Sequence, residues 1–131
     1  MTTLLAVGLV AGALGFALRE RQLASRREGL ARRFTEQVER IEAQARYAAL
    51  APIHDIGPDR AQIRAAMAAL SSEIADEGDA AEAPGHYALG RGYLALGDDA
   101  NAEAELRRAW QLGFRDPRAA YALALALGHR Y

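Results

Sequence analysis

Residues 86–98, HYALGRGYLALGD, hold the most suggestive spacing in the chain. Gly90, Gly92 and Ala95 fit G-x-G-x-x-A, the pattern of a loop whose backbone amides cradle a dinucleotide pyrophosphate. That chemistry needs a strand directly before the glycines. What precedes them is Pro84-Gly85 and, before that, DEGDAAEAPG, a stretch with the polarity of a linker. The same letters also place Leu89, Tyr93 and Leu96 on one helical face with Gly97 as a stop, so the glycines become points of close helix approach. The stretch is therefore expected to be a packing surface, and no cofactor is expected.

Other reactive residue types fare similarly. His54-Asp55 are adjacent and point in different directions, and no serine or cysteine nucleophile accompanies them in a recognisable setting. Asp55 fits a turn in which its carboxylate accepts from nearby backbone amides. His54, His86 and His129 lack the close spacing of a metal site, and with no cysteine in the chain neither a thiolate site nor a disulfide is available. Trp110, Tyr87, Tyr93 and Tyr121 have the helical spacing of core and groove residues, Tyr87 and Tyr121 being the candidates for contact with a partner. Arg107-Arg108 fits a solvated face near a helix C-terminus. These residues point to binding rather than catalysis.

Composition sets the class. Hydrophobic residues make up 51% of the 131, much of it alanine, and β-branched and aromatic residues are sparse, which favours helices over strands. All sixteen basic residues are arginine, a usage that fits GC-rich coding better than a function, and the net charge of −1 excludes general polyanion binding, so no nucleic-acid partner is expected. Residues 19–50 carry eight Arg against five Glu, and residues 51–131 eight Arg against twelve acids.

The elements follow from the pattern. Residues 2–18 are uncharged, at the lower limit of the about 17–25 residues that span a bilayer as a helix. Residues 1–18 are therefore expected to be a transmembrane helix, with membrane contact through 2–18. Gly8 and Gly12 form G-x-x-x-G, the spacing of a helix-dimerisation face and hence of a homodimer. Residues 19–51 form a charged stalk helix in which Glu28–Arg32, Glu36–Arg40 and Glu42–Arg46 are favourable i,i+4 pairs. Leu23 with Leu30, and Phe34 with Ile41 and Ala48, mark an apolar stripe expected to dock on the following helices. Pro52 ends the stalk. Residues 52–83 supply a helix-pair partner, capped by Asp59 with Gln62 as its capping-box partner, and a linker; Ile63, Met67, Leu70 and Ile74 make its buried face and Gly78 closes it. Residues 84–131 hold three more helices: one from Pro84-Gly85 to Gly97, one capped by Asp98 or Asp99 and running to Gly113, and one opened by Asp116-Pro117.

YAL at 87–89 recurs at 121–123, an offset of 34 residues, with Ala124 and Ala126 in the places of Gly90 and Gly92. This period and residues 86–113 resemble the tetratricopeptide repeat family: Leu89-Gly90-x-x-Tyr93 matches its first-helix signature, and Ala102-x-x-x-Leu106 with Ala109 its second. His86 replaces the family's first aromatic, and the closing proline stands at Pro117 instead of position 114. The resemblance implies an all-α fold in which the membrane and stalk helices are followed by antiparallel helix pairs, the start of a right-handed α-solenoid, with one full repeat and one partial. Leu89, Gly90, Tyr93, Ala102, Leu106 and Ala109 would pack the repeat. A protein or peptide would be the partner.

Nearly the whole chain, most distinctively Pro52-Ile53-His54-Asp55 and Gly85–Gly97, also resembles the region after the catalytic domain in bacterial membrane-bound serine/threonine protein kinases. No glycine-rich ATP loop, H-R-D or D-F-G motif occurs, so no kinase activity is carried by these residues. The resemblance implies a membrane-anchored sensor or interaction module, the non-catalytic part of a signalling protein or a C-terminal fragment of a receptor-like kinase. It places the module in the inner membrane with its repeats outside the cytoplasm, against the six arginines of residues 19–33, which the positive-inside rule would keep inside. A soluble oligomeric scaffold is the third possibility.

Three expectations concern packing. Gly90 should sit where two helices touch, so Gly90→Leu should overpack; Arg91, one residue on, should tolerate leucine. AAYALALALG, residues 119–128, has no charge on any face, so one side of the last helix should be uncovered, leaving the chain self-associating or marginal and calling for a further helix beyond it.

Overall fold

The computed structural model describes residues 2–50 and 55–130, apart from the side chains of residues 2–7 and 9. Among these there are five helices and no strand: α1 (Thr2–Leu50), α2 (Gly57–Glu77), α3 (Asp79–Ala95), α4 (Asp99–Gln111) and α5 (Pro117–His129). Pro52 and His54 lie outside the described residues.

The buried faces have helical spacing. On α1 the buried residues are Leu30, Phe34, Val38 and Ile41, each three or four positions from the last. On α2 they are Ile63, Met67, Leu70 and Ile74. These two stripes meet Ala81, Ala88 and Leu89 of α3 in one hydrophobic cluster. A second cluster lies on the far side of α3 and joins Tyr87 to Leu106 and Ala109 of α4 and Ala119, Ala122 and Ala126 of α5. Helix α3 is thus the shared wall of two cores.

Close approach to α3 is made possible by glycine. A Cβ added to Gly85 would lie 2.5 Å from Ile74 Cγ1, and one added to Gly92 would collide with the Met67 sulfur, both on α2. A Cβ on Gly90 would lie 2.5 Å from Leu106 Cγ and 3.3 Å from the Ala102 carbonyl oxygen, both on α4. Gly85 and Gly92, seven residues apart, therefore serve one neighbour and Gly90 the other. The G-x-G spacing is a two-sided packing device within a helix.

Direction follows from which residues meet. Met67 and Ile74 of α2 meet Gly92 and Gly85, so α2 runs antiparallel to α3. Arg33 and Gln37 of α1 reach Glu77 and Glu73 of α2, so these two are antiparallel as well. In the α4–α5 pair, His129 Nδ1 is 3.0 Å from Asp99 Oδ1, and Arg130 pairs with Glu103. The termini are set locally. Asp98 accepts from the Asn101 amide at 3.2 Å and Asp116 from the Arg118 amide at 2.8 Å, each an N-cap. Gly78, Gly97 and Gly113 take positive φ (71°, 71° and 90°) at helix ends, a conformation glycine adopts without Cβ strain.

Several expectations are corrected. No helix among the described residues is long and apolar enough to cross a membrane. The uncharged run of residues 2–18 is nine parts alanine, glycine and threonine to eight parts larger apolar residues, and the helix continues without a break into Arg19-Glu20-Arg21. A transmembrane helix over 1–18 and placement in the inner membrane are both overturned, and the question of orientation falls with them. Membrane helix and stalk are one helix, whose residues 10–29 are exposed. Gly8 and Gly12 are exposed too, with open space where a Cβ would stand. Asp59 is not a cap: Ile56 holds that position with no side-chain hydrogen bond, and Asp59 lies in the first turn after Pro58. DEGDAAEAPG is not a linker either. Gly78 alone separates α2 from α3, and residues 79–84 are helical, with Asp79 and Glu82 complementing the helix N-terminus and Ala81 fully buried. Pro84 lies inside α3, not at its start.

Candidate functional site

Helices α1 and α5 both pack on α3 and do not meet each other. The space between them is an open groove of about 650 Å³. Tyr87, Arg91 and Leu94 of α3 form its floor. Glu39, Glu42 and Arg46 stand on the α1 wall, and Arg118, Tyr121 and Leu125 on the α5 wall.

Its centre is a fixed ion pair. Arg91 donates from Nε to Glu42 Oε1 at 2.8 Å and from a terminal nitrogen to Oε2 at 2.7 Å, a bidentate bridge from α3 to α1. The guanidinium also lies 5.7 Å from the Tyr87 ring centroid. Burial works against the Arg91 charge, and the Glu42 carboxylate more than offsets it, holding the guanidinium above its ordinary value. Arg91 is therefore not the indifferent surface position expected beside Gly90. It ties the groove's floor to its wall.

The two tyrosines occupy different surroundings although each opens a YAL triplet. Tyr87 is 3% exposed and its ring stacks on Phe114 at 4.8 Å between centroids; burial pushes its hydroxyl pKa up. Tyr121 is 69% exposed on the groove wall. Of the two candidates for partner contact, Tyr121 is open on the groove wall and Tyr87 is buried in the floor.

Leu89, Ala102, Leu106 and Ala109 are buried, and Tyr93 is half-buried against both cores. Leu89 belongs to the core shared by α1, α2 and α3, and Ala102, Leu106 and Ala109 to the core shared by α3, α4 and α5. On α5 the buried positions are Ala119, Ala122 and Ala126, while Tyr121, Ala124 and Gly128 are exposed, so the uncharged stretch 119–128 does show one uncovered side. Two histidines take single acidic partners: His86 Nδ1 is 2.5 Å from Glu105 Oε2, and His129 binds Asp99. They sit on different helices, and no group of three or more metal-binding side chains occurs among the described residues. Asp55 accepts from the Gly57 amide at 2.9 Å, the expected turn.

Sequence reasoning missed the Glu42–Arg91 bridge, because nothing in the spacing of residues 49 apart announces a contact. The apolar stripe of α1 docks on α2 and α3, in line with the expectation that it would pack on the following helices. No family model, curated protein or solved structure matches the chain.

Proposed function

We propose that this chain is a tetratricopeptide-like interaction module that binds a segment of a partner protein in the groove between α1 and α5. The observation that carries the proposal is the groove itself: two helices held apart on a common third helix, with the exposed Tyr121 ring and the Leu125 side chain on one wall. Aromatic side chains at the edge of a concave, mainly apolar surface are effective anchors because they bury much area for little lost freedom. The α-solenoid arrangement is supported by the succession of antiparallel pairs. The packed half of α1 with α2 is the first, α3 with α4 the second, and α5 opens a third. The wider resemblance supplies a setting, the non-catalytic part of a signalling protein whose chemistry resides elsewhere.

A displayed library of random peptides, selected against the immobilised full chain, tests this. Enriched peptides should lose binding to Tyr121→Arg and keep it to Arg108→Ala, which lies on α4 away from the groove. No enrichment, or peptides indifferent to Tyr121→Arg, would overturn the proposal.

A further inference from the structure

The groove has a polarity that narrows its occupant. Arg118 of α5 lines the groove with Tyr87 of α3 and Glu39 of α1, both of which act electrostatically on its charge. Glu42 meets Arg91 further along. Beyond them Arg46, Ala49, Ala95 and His129 line the opposite end. Residue numbers thus rise in the same direction on α1, α3 and α5, and the three helices end together at Leu50, Ala95 and His129.

The charges along this axis are not equivalent. Glu42 and Arg91 neutralise each other at the centre, and Arg118 is held by Asp116 at 2.7 Å. Among the described residues Glu39 and Arg46 make no ion pair or side-chain hydrogen bond, Glu39 being drawn only at longer range to Arg118. They lie seven residues apart, two turns of α1, or about 10 Å at 1.5 Å per residue. An occupant would meet the Glu39 carboxylate at one end and the Arg46 guanidinium at the other.

We propose, on the basis of the groove assignment above, that the occupant is an amphipathic helix of a partner protein lying antiparallel to α1, α3 and α5, with an acidic side chain in its first turn facing Arg46 and a basic one seven residues later facing Glu39. Charge alone would also accept a parallel helix carrying its base first and its acid last. Helix dipoles decide between the two. The parallel orientation adds a fourth helix C-terminus to three others and puts an acid near it. The antiparallel orientation sets a positive N-terminus among three negative C-termini and puts each side chain where its own helix favours it. An amphipathic helix laid in a groove also buries its apolar side on Tyr121, Leu125 and Leu94, and its own hydrogen bonds satisfy its backbone.

Two synthetic 14-residue Ala/Leu helices, labelled and blocked at both ends, provide the test with the full chain. One has Glu at position 3 and Arg at position 10; the other exchanges them. Fluorescence anisotropy should show the acid-first peptide binding about fivefold more tightly, the combined scale of two exposed ion pairs and a dipole contribution. The Glu39→Arg, Arg46→Glu double variant should narrow or invert that preference, with circular dichroism verifying its fold. Equal affinities, a base-first preference, or a preference unmoved by the double variant would overturn the inferred orientation. If neither helix binds but library peptides still bind through Tyr121, the helical occupant is wrong and the groove assignment stands. If library peptides fail as well, both fall.

Discussion

The two halves of α1 are one continuous helix with opposite fates. Residues 2–18 hold no charge, yet Val10, Leu14, Phe16 and Leu18 are exposed; residues 30–41 hold five charged side chains, yet Leu30, Phe34, Val38 and Ile41 are buried. Apolar content did not decide which half was packed. Pattern did: the second half concentrates its large apolar residues in one stripe and flanks them with charges that find partners. Arg33 reaches Glu73 and Glu77, Gln37 reaches Glu73, and Glu42 reaches Arg91. The first half spreads its apolar residues around the helix, dilutes them with alanine and glycine, and has nothing facing it in the described chain. A helix apolar on all sides has no face that a two-helix neighbourhood could cover.

The largest expected contrast follows from two phenylalanines on that helix. Phe34 is 0% exposed and Phe16 68%. Phe34→Ala should cost about 3–5 kcal/mol of unfolding free energy in urea, through lost burial and the cavity left behind. Phe16→Ala should change it by less than about 0.5 kcal/mol. A comparable loss at Phe16 would mean that the first half is packed against something in solution and would end the contrast.

Glycines sharpen the same comparison at smaller scale. Gly90→Leu places side-chain atoms where Leu106 and the Ala102 carbonyl already stand, and should destabilise by about 1–3 kcal/mol. Gly8→Leu meets open space in a helix and should instead gain up to about 1 kcal/mol from helix propensity. Thermal melts of the two variants should therefore move in opposite directions. Arg91→Leu, which looks like a mild control from sequence, should also destabilise, because it strands Glu42 in a half-buried position.

Much of the body was legible in the sequence because its signals are local. The buried face of α2 follows from Ile63, Met67, Leu70 and Ile74, and the caps at Asp98 and Asp116 from single residues beside helix starts. The close contact at Gly90 follows from the repeat pattern. What failed was local reasoning applied where tertiary contact decides. Residues 79–84 look like a linker by polarity, but Ala81 and Pro84 are buried, and packing draws that polar segment into α3. An uncharged N-terminal run suggests a bilayer, but the count of seventeen residues concealed how many are small. In the groove, Tyr121 could be nominated from the 34-residue recurrence, whereas Arg91 and Glu42 are paired only by the fold.

The boundary between the halves should respond to pH, with the smallest effect of the set. Glu77 of α2 accepts from Arg33 at 2.7 Å and from Arg26 at 3.0 Å, which are the last ties before the exposed stretch. Those hydrogen bonds, from Arg33 first and Arg26 second, hold the Glu77 carboxyl below its ordinary value of 4.5. A folded-state value below the unfolded one means that the stabilisation is complete above about pH 4.5 and is lost as pH falls through the lowered value. Both partners are well solvated, so the global melt should shift only slightly. The local signature should be clearer. On acidification from pH 7 to pH 3, amide exchange corrected for intrinsic pH dependence should accelerate over residues 22–33 before it does over residues 34–45. Glu77→Gln should show the faster exchange at pH 7 already and little further change on acidification. An identical acid response in wild type and Glu77→Gln would place the boundary elsewhere on α1, at Leu30 and Phe34, with burial alone holding the packed half in place.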